Sequence, residues 1–347
     1  MPSKSLIPAG LAGVLLAVGA AASPRAAVAA AAEPQYRALK QIAIGGGSGW
    51  DYLYAEPEAH RLYVSHGTKV VVIDTEKDKV VGEVLDTPGV HGFVPVPALG
   101  RGFSTNGQEN KASVVDLATL KTISKVPTGG NPDALLYESK GGLVWTFNGR
   151  GRSATSFDAK TAKVVGEDVA LDGKPETGAA DPSGERIYVN LEDKDEVAVI
   201  DVKTRKVTAR WPIAPGKAAT GMALDPATHR LIVGCGNSKV VMLDAGTGAV
   251  VGSCDAGQGI DAVAFDPETH LAFASAGGSG TVTVAKVEAD KLTVVQTLTT
   301  ERGARTMTVD PKTHKIYLSN AKSRTDANSF HVLVYGPEAG EGAKGKP

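Results

Sequence analysis

A segment of about 40–45 residues recurs seven times in this chain of 347 residues. Its clearest copy, residues 223–252, contains four short apolar runs, rich in β-branched residues and separated by Gly, Pro, Asn and Asp. Such runs predict a four-stranded antiparallel sheet in each copy. One position before the first turn marks the period, with gaps of 40, 42, 43, 44, 41 and 44 residues. This marker position is occupied by Glu56, Val96, Glu138, Asp181, Asp225, Asp266 and Asp310.

The period and the four runs per copy predict an all-β fold, a seven-bladed β-propeller of four-stranded antiparallel blades. A single blade cannot bury both of its faces, whereas blades stacked around an axis can, which explains nearly continuous apolar runs such as 70–73. The seventh copy has only three runs, and residues 38–45 resemble a fourth. We therefore predict that the N-terminal strand completes the last blade and closes the ring, which removes the open sheet edges.

The chain is predicted to have three parts. Residues 1–32 begin with Lys4, continue through an apolar stretch at 6–22 and end in alanines, which is typical of a secretory signal peptide. A retained membrane anchor is the alternative. Residues 33–336 would form the propeller, and the Gly-, Glu- and Lys-rich residues 337–347 a disordered tail. We expect a periplasmic or secreted monomer that does not span the membrane after signal cleavage.

The second run of several copies begins with an aromatic, an apolar, a small and a polar residue. With D-P-x-T-H before it and V-I-D after it, this pattern resembles the bacterial YVTN-repeat (YncE-like) β-propellers. The resemblance covers residues 36–335 and implies the propeller fold, but it implies no single activity, because members of this family differ in role. The runs that carry it are Tyr63-Val64-Ser65-His66, Phe103-Ser104-Thr105-Asn106, Trp145-Thr146-Phe147-Asn148 and Tyr317-Leu318-Ser319-Asn320.

Polar residues occupy most positions five residues before the marker, where each innermost strand begins. In propellers this end of the inner strands rims the central channel, the usual ligand site. Clustered carboxylates there would raise one another's pKa values or be neutralised by a divalent cation such as Ca²⁺ or Mg²⁺. Arg305 would instead clamp a carboxylate or phosphate, and Trp50 would form the floor of such a pocket or serve only in packing. The alternative is that these groups cap turns and line a wet channel. The seven rim positions are Asp51, His91, Asp133, Glu176, Thr220, Asp261 and Arg305.

Two other sets of residues carry weaker metal or redox signals. His60, His229, His270 and His314 share one turn position in four copies, so they cannot converge on one ion and are predicted to be turn residues. Cys235 and Cys254 belong to one blade but are separated by a strand, so a disulfide would require the strand ends to approach. Whether they form one is left open.

The sequence supports two main functional hypotheses. The first is a non-catalytic scaffold that binds a small ligand or a periplasmic protein at the top face and central channel. The alternative is a divalent-metal-dependent lactonase or related hydrolase, in which the rim carboxylates Asp51, Asp133, Glu176 and Asp261 hold the ion and His91 acts as base. A third is a partner subunit of a redox enzyme. The chain contains no P-loop, G-x-S-x-G or H-E-x-x-H motif, and its net charge of −1 gives no support for binding duplex nucleic acid.

Overall fold

The computed structural model describes Met1 and residues 34–338, except 48, 322, 324, 325 and 327. The chain divides into two units, Met1–Glu33 and Pro34–Pro347. In the second unit the described residues form seven four-stranded antiparallel sheets, which confirms the predicted seven-bladed β-propeller. Apart from Met1, the predicted signal peptide lies outside the described residues, and so do residues 339–347 of the predicted tail. No helix in the described part of the chain is long and apolar enough to cross a membrane.

The first strand, β1 (Tyr36–Ala43), precedes six blades that each consist of four consecutive strands. Blades 1 to 3 contain β2 (Trp50–Glu56), β3 (Arg61–His66), β4 (Lys69–Asp74) and β5 (Lys79–Val84); β6 (Val90–Val96), β7 (Arg101–Asn106), β8 (Lys111–Asp116) and β9 (Lys121–Pro127); and β10 (Pro132–Glu138), β11 (Leu143–Asn148), β12 (Ser153–Asp158) and β13 (Val169–Ala170). Blades 4 to 6 contain β14 (Pro175–Ala180), β15 (Arg186–Leu191), β16 (Glu196–Asp201) and β17 (Lys206–Pro212); β18 (Ala219–Asp225), β19 (Arg230–Cys235), β20 (Lys239–Asp244) and β21 (Val250–Asp255); and β22 (Ile260–Asp266), β23 (Leu271–Ala276), β24 (Thr281–Val287) and β25 (Leu292–Thr299). Three short 3-10 helices, Pro57–Ala59, Pro97–Leu99 and Glu192–Lys194, follow strands.

Blade 7 joins the two ends of the propeller. It consists of β26 (Met307–Asp310), β27 (Lys315–Ala321), β28 (Phe330–Pro337) and, as its outer strand, β1. β1 pairs antiparallel with β28, and Tyr36 at its start is buried with its ring 5.0 Å from that of Phe273 in blade 6. The first strands of adjacent blades contact one another around the whole ring, including β2 with β26. The ring is therefore closed by the N-terminal strand, as the repeat count predicts.

Large side chains on the second strands hold neighbouring blades together. They lie seven residues beyond the marker position, and each is at most 1% exposed. The ring of Tyr63, for example, stacks on Phe93 of the next blade at 4.7 Å between centroids. The apolar runs thus bury both faces of each sheet. The residues in this set are Tyr63, Phe103, Trp145, Tyr188, Ile232, Phe273 and Tyr317.

The two cysteines lie on different strands of blade 5. Cys235 on β19 and Cys254 on β21 lie on either side of β20, and both thiols are free.

The four turn histidines all have left-handed backbone conformations, with φ between 51° and 56°, which confirms that they are turn residues. These residues are His60, His229, His270 and His314.

Candidate functional site

The seven rim residues converge on one cavity of about 330 Å³, hereafter the rim cavity. They converge because the inner strands stand side by side around the axis and all begin at the same end. Their roles as ligand-binding groups stay predictions. The residues that line the rim cavity are Asp51, Tyr52, His91, Asp133, Lys174, Glu176, Glu192, Thr220, Asp261 and Arg305.

A β-bulge places the rim residue in each of the first six blades. In blade 1, for example, the pairing register of β2 with β3 shifts between Trp50 and Leu53, so Asp51 and Tyr52 lie within the irregularity. The same shift occurs at the start of β6, β10, β14, β18 and β22. Bulges release residues from regular pairing and re-aim their side chains. This explains how rim side chains leave the plane of the blade and reach the cavity.

Polar side chains of neighbouring blades fix the rim backbone. Asn190 Nδ2 donates a hydrogen bond to the carbonyl of Thr220 at 2.8 Å, and Thr306 Oγ1 donates to the carbonyl of Asp51 at 2.9 Å. Thr105 and Ser275 make the same kind of bond to the carbonyls of Asp133 and Arg305. Thr105, Asn190 and Ser275 occupy the fifth position of their second strands, within the small and polar part of the repeat. The repeat pattern therefore helps to hold the site as well as the fold.

His91 lies between two carboxylates. Its Nδ1 is 2.7 Å from Asp51 Oδ2 and 3.6 Å from Asp133 Oδ1. Burial by itself lowers the pKa of His91, but the hydrogen bond with Asp51 and the charges of Asp133 and Asp51 outweigh burial and raise the pKa to about 9. His91 is therefore a cation at neutral pH and donates Nδ1–H to Asp51. One atom from each of these three residues also lies within 4.8 Å of the other two, a spacing suited to a metal ion.

The other two cationic side chains of the rim cavity are also paired. Arg305 Nη1 lies 2.6 Å from Asp261 Oδ2, and its Nη2 donates to the carbonyl of Trp50 at 3.1 Å. Lys174 Nζ lies 2.6 Å from Glu176 Oε1 and also contacts Glu192. Burial raises the pKa values of Asp261 and Glu176, although each has a cationic partner that lowers its pKa. Each cation is thus balanced by at least one carboxylate.

Asp133 is the carboxylate of the rim cavity that these ion pairs satisfy least. The cavity contains five carboxylates and three cationic side chains, and within the described residues the Asp133 carboxylate has no polar contact shorter than 3.6 Å. Its nearest donor, His91 Nδ1, is already hydrogen-bonded to Asp51. Burial raises the pKa of Asp133, and the attraction of His91 only partly offsets burial. Asp133 is therefore the most weakly paired of the described carboxylates in the rim cavity.

Three residues that line the rim cavity were not predicted from the sequence: Tyr52, Lys174 and Glu192. Tyr52 had a readable signal, since the six equivalent positions in the other blades hold only Gly, Ala or Thr. Burial and the charges of Asp133 and Asp51 raise the pKa of Tyr52, so its phenol stays neutral and can donate. Lys174 and Glu192 lie in connections at the ends of strands and belong to no column of the repeat.

Trp50 corrects one expectation. Its indole lies 6.0 Å from the ring of Phe330 and packs against a hydrophobic cluster of blades 1 and 7. Trp50 is not among the described residues that line the rim cavity. It is a packing residue, and only its carbonyl reaches the site, through Arg305. The reason is the β-bulge, because Trp50 is still paired with His66 on β3, whereas Asp51 and Tyr52 lie within the irregularity and reach the rim cavity.

Comparison with known proteins supports the fold alone. No family model and no curated protein matches this sequence. Among solved structures, a chain of Kuenenia stuttgartiensis hydrazine synthase is similar, with a TM-score of 0.72, 16% identity, and coverage of 83% of this chain and 95% of that chain. At this identity the likeness shows a shared β-propeller architecture. The YVTN-repeat family stays a resemblance.

Proposed function

We propose that this chain is a periplasmic or secreted binding propeller that holds a small cationic ligand in the rim cavity without catalysis. The observation that carries this proposal is the Asp133 carboxylate, which is largely buried in a cavity of about 330 Å³ and is only weakly paired, because its nearest cationic atom, His91 Nδ1, lies 3.6 Å away and is hydrogen-bonded to Asp51. An ionised carboxylate withdrawn from water is costly unless a cation or several donors compensate it. A bound ammonium group would supply that compensation.

The paired cations of the cavity favour a ligand of small charge. His91, Lys174 and Arg305 are each held by a neighbouring carboxylate, so they neutralise most of the acidic rim. The remaining excess of two carboxylates suits one or two positive charges on the ligand. An anionic ligand clamped by Arg305 would first have to displace Asp261 from its 2.6 Å contact. The geometry therefore supports a cation more than the carboxylate or phosphate ligand that Arg305 suggests in the sequence.

The test is a calorimetric titration with ethylammonium chloride, with sodium chloride at the same ionic strength as reference. Wild type is expected to bind ethylammonium. Asp133→Asn is expected to bind it at least about tenfold more weakly, because a charged hydrogen bond is lost. Asp290→Asn is the matched control, because Asp290 is an exposed aspartate between β24 and β25. Equal affinity of wild type and Asp133→Asn, or no binding by wild type, would overturn the proposal.

A metal-assisted hydrolase is the second candidate, and the cluster of Asp51, His91 and Asp133 favours it. One imidazole nitrogen and two carboxylates suit Zn²⁺ or Mn²⁺ better than the Ca²⁺ or Mg²⁺ predicted from the carboxylates, because the latter two ions prefer oxygen ligands. Glu176 and Asp261, the other two predicted ligands, already pair with cationic side chains. His91 would also have to release its proton, and its raised pKa opposes this at neutral pH.

Metal content separates the two candidates. Protein purified without chelator is analysed by mass spectrometry, and its melting temperature is measured before and after EDTA. The binding-propeller proposal expects substoichiometric metal and no change in melting temperature. One divalent ion per chain, lost on EDTA treatment and absent from Asp133→Asn, would favour the hydrolase and contradict the first proposal.

A further inference from the structure

A second cavity lies below the rim cavity along the inner strands. This channel cavity has a volume of about 450 Å³ and extends toward the marker-position end of the strands, where Tyr54 and Tyr137 line it. Tyr52 lines both cavities. The two spaces are therefore adjacent, and Tyr52 is the residue at which they meet.

The two cavities differ completely in chemistry. Eight of the ten residues that line the rim cavity are charged, whereas none of the described residues that line the channel cavity is Asp, Glu, Lys, Arg or His. Apolar side chains from several blades, among them Phe93, Leu135 and Met222, form much of the channel wall, and tyrosine and threonine residues form the rest together with the backbone. Volumes of about 300–1,000 Å³ with apolar walls and a few polar groups at one end are typical of small-molecule sites.

The level of Tyr52 is built from small residues. Equivalent positions in the other blades are Gly92, Ala134, Thr177, Gly221, Ala262 and Thr306. Four of them, together with Tyr52, line the channel cavity. With one aromatic ring and six small residues at this level, Tyr52 has the largest side chain between the two cavities. An aromatic ring beside a group of carboxylates also offers a favourable contact to an organic cation.

We propose that the ligand of the rim cavity is an amphipathic organic cation, with an ammonium head beside Asp133 and an apolar body that reaches past Tyr52 into the channel cavity. This inference rests on the proposed function and specifies its ligand class. It follows from three observations: the weakly paired Asp133 carboxylate in the rim cavity, the uncharged wall of the channel cavity, and the one residue that lines both. A simple metal ion or a small hydrophilic amine would leave the apolar cavity without use.

The experiment measures affinity across the n-alkylammonium series from butyl to octyl by calorimetry. Burial of each added methylene is expected to tighten binding about fourfold until the channel cavity is filled. n-Hexanol is the control for the contribution of the ammonium group, because it has the same apolar chain without the charge. It is expected to bind at least about tenfold more weakly than hexylammonium. Asp133→Asn is expected to weaken binding of every amine by the same factor.

Variants that fill the channel cavity test whether the apolar part of the ligand binds there. Ala264→Phe adds bulk to the wall of the channel cavity, and Val309→Phe does so from another blade if the first variant fails to fold. Either variant is expected to abolish the dependence on chain length while butylammonium affinity stays within about twofold of wild type. Their melting curves establish that they are folded.

The outcomes are distinguishable. Equal affinity for butyl- and octylammonium in wild type would contradict this inference and leave the proposed function standing. A dependence on chain length that persists in folded Ala264→Phe and Val309→Phe would place the body outside the channel cavity and also contradict it. Hexanol binding as tightly as hexylammonium would show that Asp133 does not hold the head. Failure of every amine to bind would overturn the proposed function together with the inference.

Discussion

The two ends of the inner strands use carboxylates in opposite ways. At the marker-position end, Asp225 accepts a hydrogen bond from the backbone N–H of Ala227 at 2.9 Å, and Asp266 accepts one from Glu268 at 3.0 Å. Asp310 repeats this bond with Lys312 at 2.9 Å. At the rim end, five residues earlier in each strand, Asp133 has no comparable donor and Asp261 is held by Arg305. Each turn aspartate thus has a backbone donor within its own turn, although Asp266 also pairs with His314 of the next blade, whereas the rim aspartates depend on their neighbours.

The difference teaches how to separate structural from functional positions in a symmetric repeat. A turn is completed within one blade, so its chemistry recurs from blade to blade and the same residue serves each time. Rim positions meet on the axis, so seven occupants form one site and each is free to differ. The pKa values follow this division. Burial alone would raise the pKa of Asp181, but donors from Ser183 and Tyr188 lower it, whereas the pKa of Asp133 is raised.

Removing the closing strand breaks both ends at once and is expected to have the largest effect. Deletion of residues 36–43 removes Tyr36 and Ile42 from the core, at most 3% exposed, and unpairs the edge of β28. The loss of two such side chains costs about 5–10 kcal/mol, comparable with the whole stability of a typical domain. We expect no cooperative melting transition by circular dichroism. Arg37→Ala, an exposed change in the same strand, is expected to melt like wild type. A deletion variant with wild-type melting would refute closure by β1.

The rim is expected to make stability depend on pH through His91. Its pKa in the folded protein is about 9, above the ordinary value of 6.5, because Asp51, Asp133 and Glu176 stabilise the imidazolium. The stabilisation is therefore fully present below pH 6.5 and is lost as the pH rises through 9. Relative to His91→Gln, wild type is expected to lose about 3 kcal/mol of unfolding free energy between pH 6 and 10. Denaturant titrations of both proteins across this range provide the measurement. Parallel pH profiles would show that the pKa of His91 is the same in the folded and the unfolded protein, and would contradict this prediction.

A turn aspartate is expected to affect stability but not binding. Asp225 is 1% exposed and accepts hydrogen bonds from Ala227 N and Thr228 Oγ1, so Asp225→Ala leaves two donors of the turn without their acceptor. We expect the free energy of unfolding to fall by about 2 kcal/mol. Asp225→Asn, which retains one acceptor oxygen, should lose less. Ethylammonium affinity should match wild type in both variants, and a changed affinity would remove the distinction between the two ends.

Substitution of the rim residue Asp133 is expected to raise stability, whereas substitution of the turn residue Asp225 lowers it. Because the pKa of Asp133 is raised in the folded protein, its ionisation costs stability, and this cost grows as the pH rises above the unfolded value. Asp133→Asn should therefore be more stable than wild type at pH 8, by on the order of 1 kcal/mol, because the raised pKa already includes the attraction of His91. Below pH 4 the two proteins should be equally stable. A loss of stability at pH 8 would indicate that Asp133 is a structural residue.

These contrasts also explain what the sequence could and could not predict. Blade number and ring closure follow from a period that repeats seven times, and the marker position predicts its own turn because Asp and Pro act locally. The rim positions could be found by counting from that marker. Their convergence required the β-bulges, which depend on pairing between strands and leave no residue signature. Lys174 and Glu192 were missed for another reason: they lie in connections that differ between blades. Trp50 was misplaced because sequence adjacency to Asp51 does not imply the same side of a strand.

The smallest expected effect tests whether repetition really marks structure. His229 is an exposed turn residue with φ 55°, a left-handed conformation that Asn adopts readily and a β-branched residue does not. We expect His229→Asn to change the free energy of unfolding by less than about 0.5 kcal/mol, and His229→Val to lower it by about 1–2 kcal/mol. Denaturant unfolding of both variants provides the measurement, and neither should change metal content or ethylammonium affinity. The physical reason is that His229 is exposed and has the left-handed backbone conformation that all four repeated histidines share. If His229→Asn altered ligand or metal binding, a repeated position would carry function, and recurrence could no longer be used to assign a residue of this propeller to the scaffold.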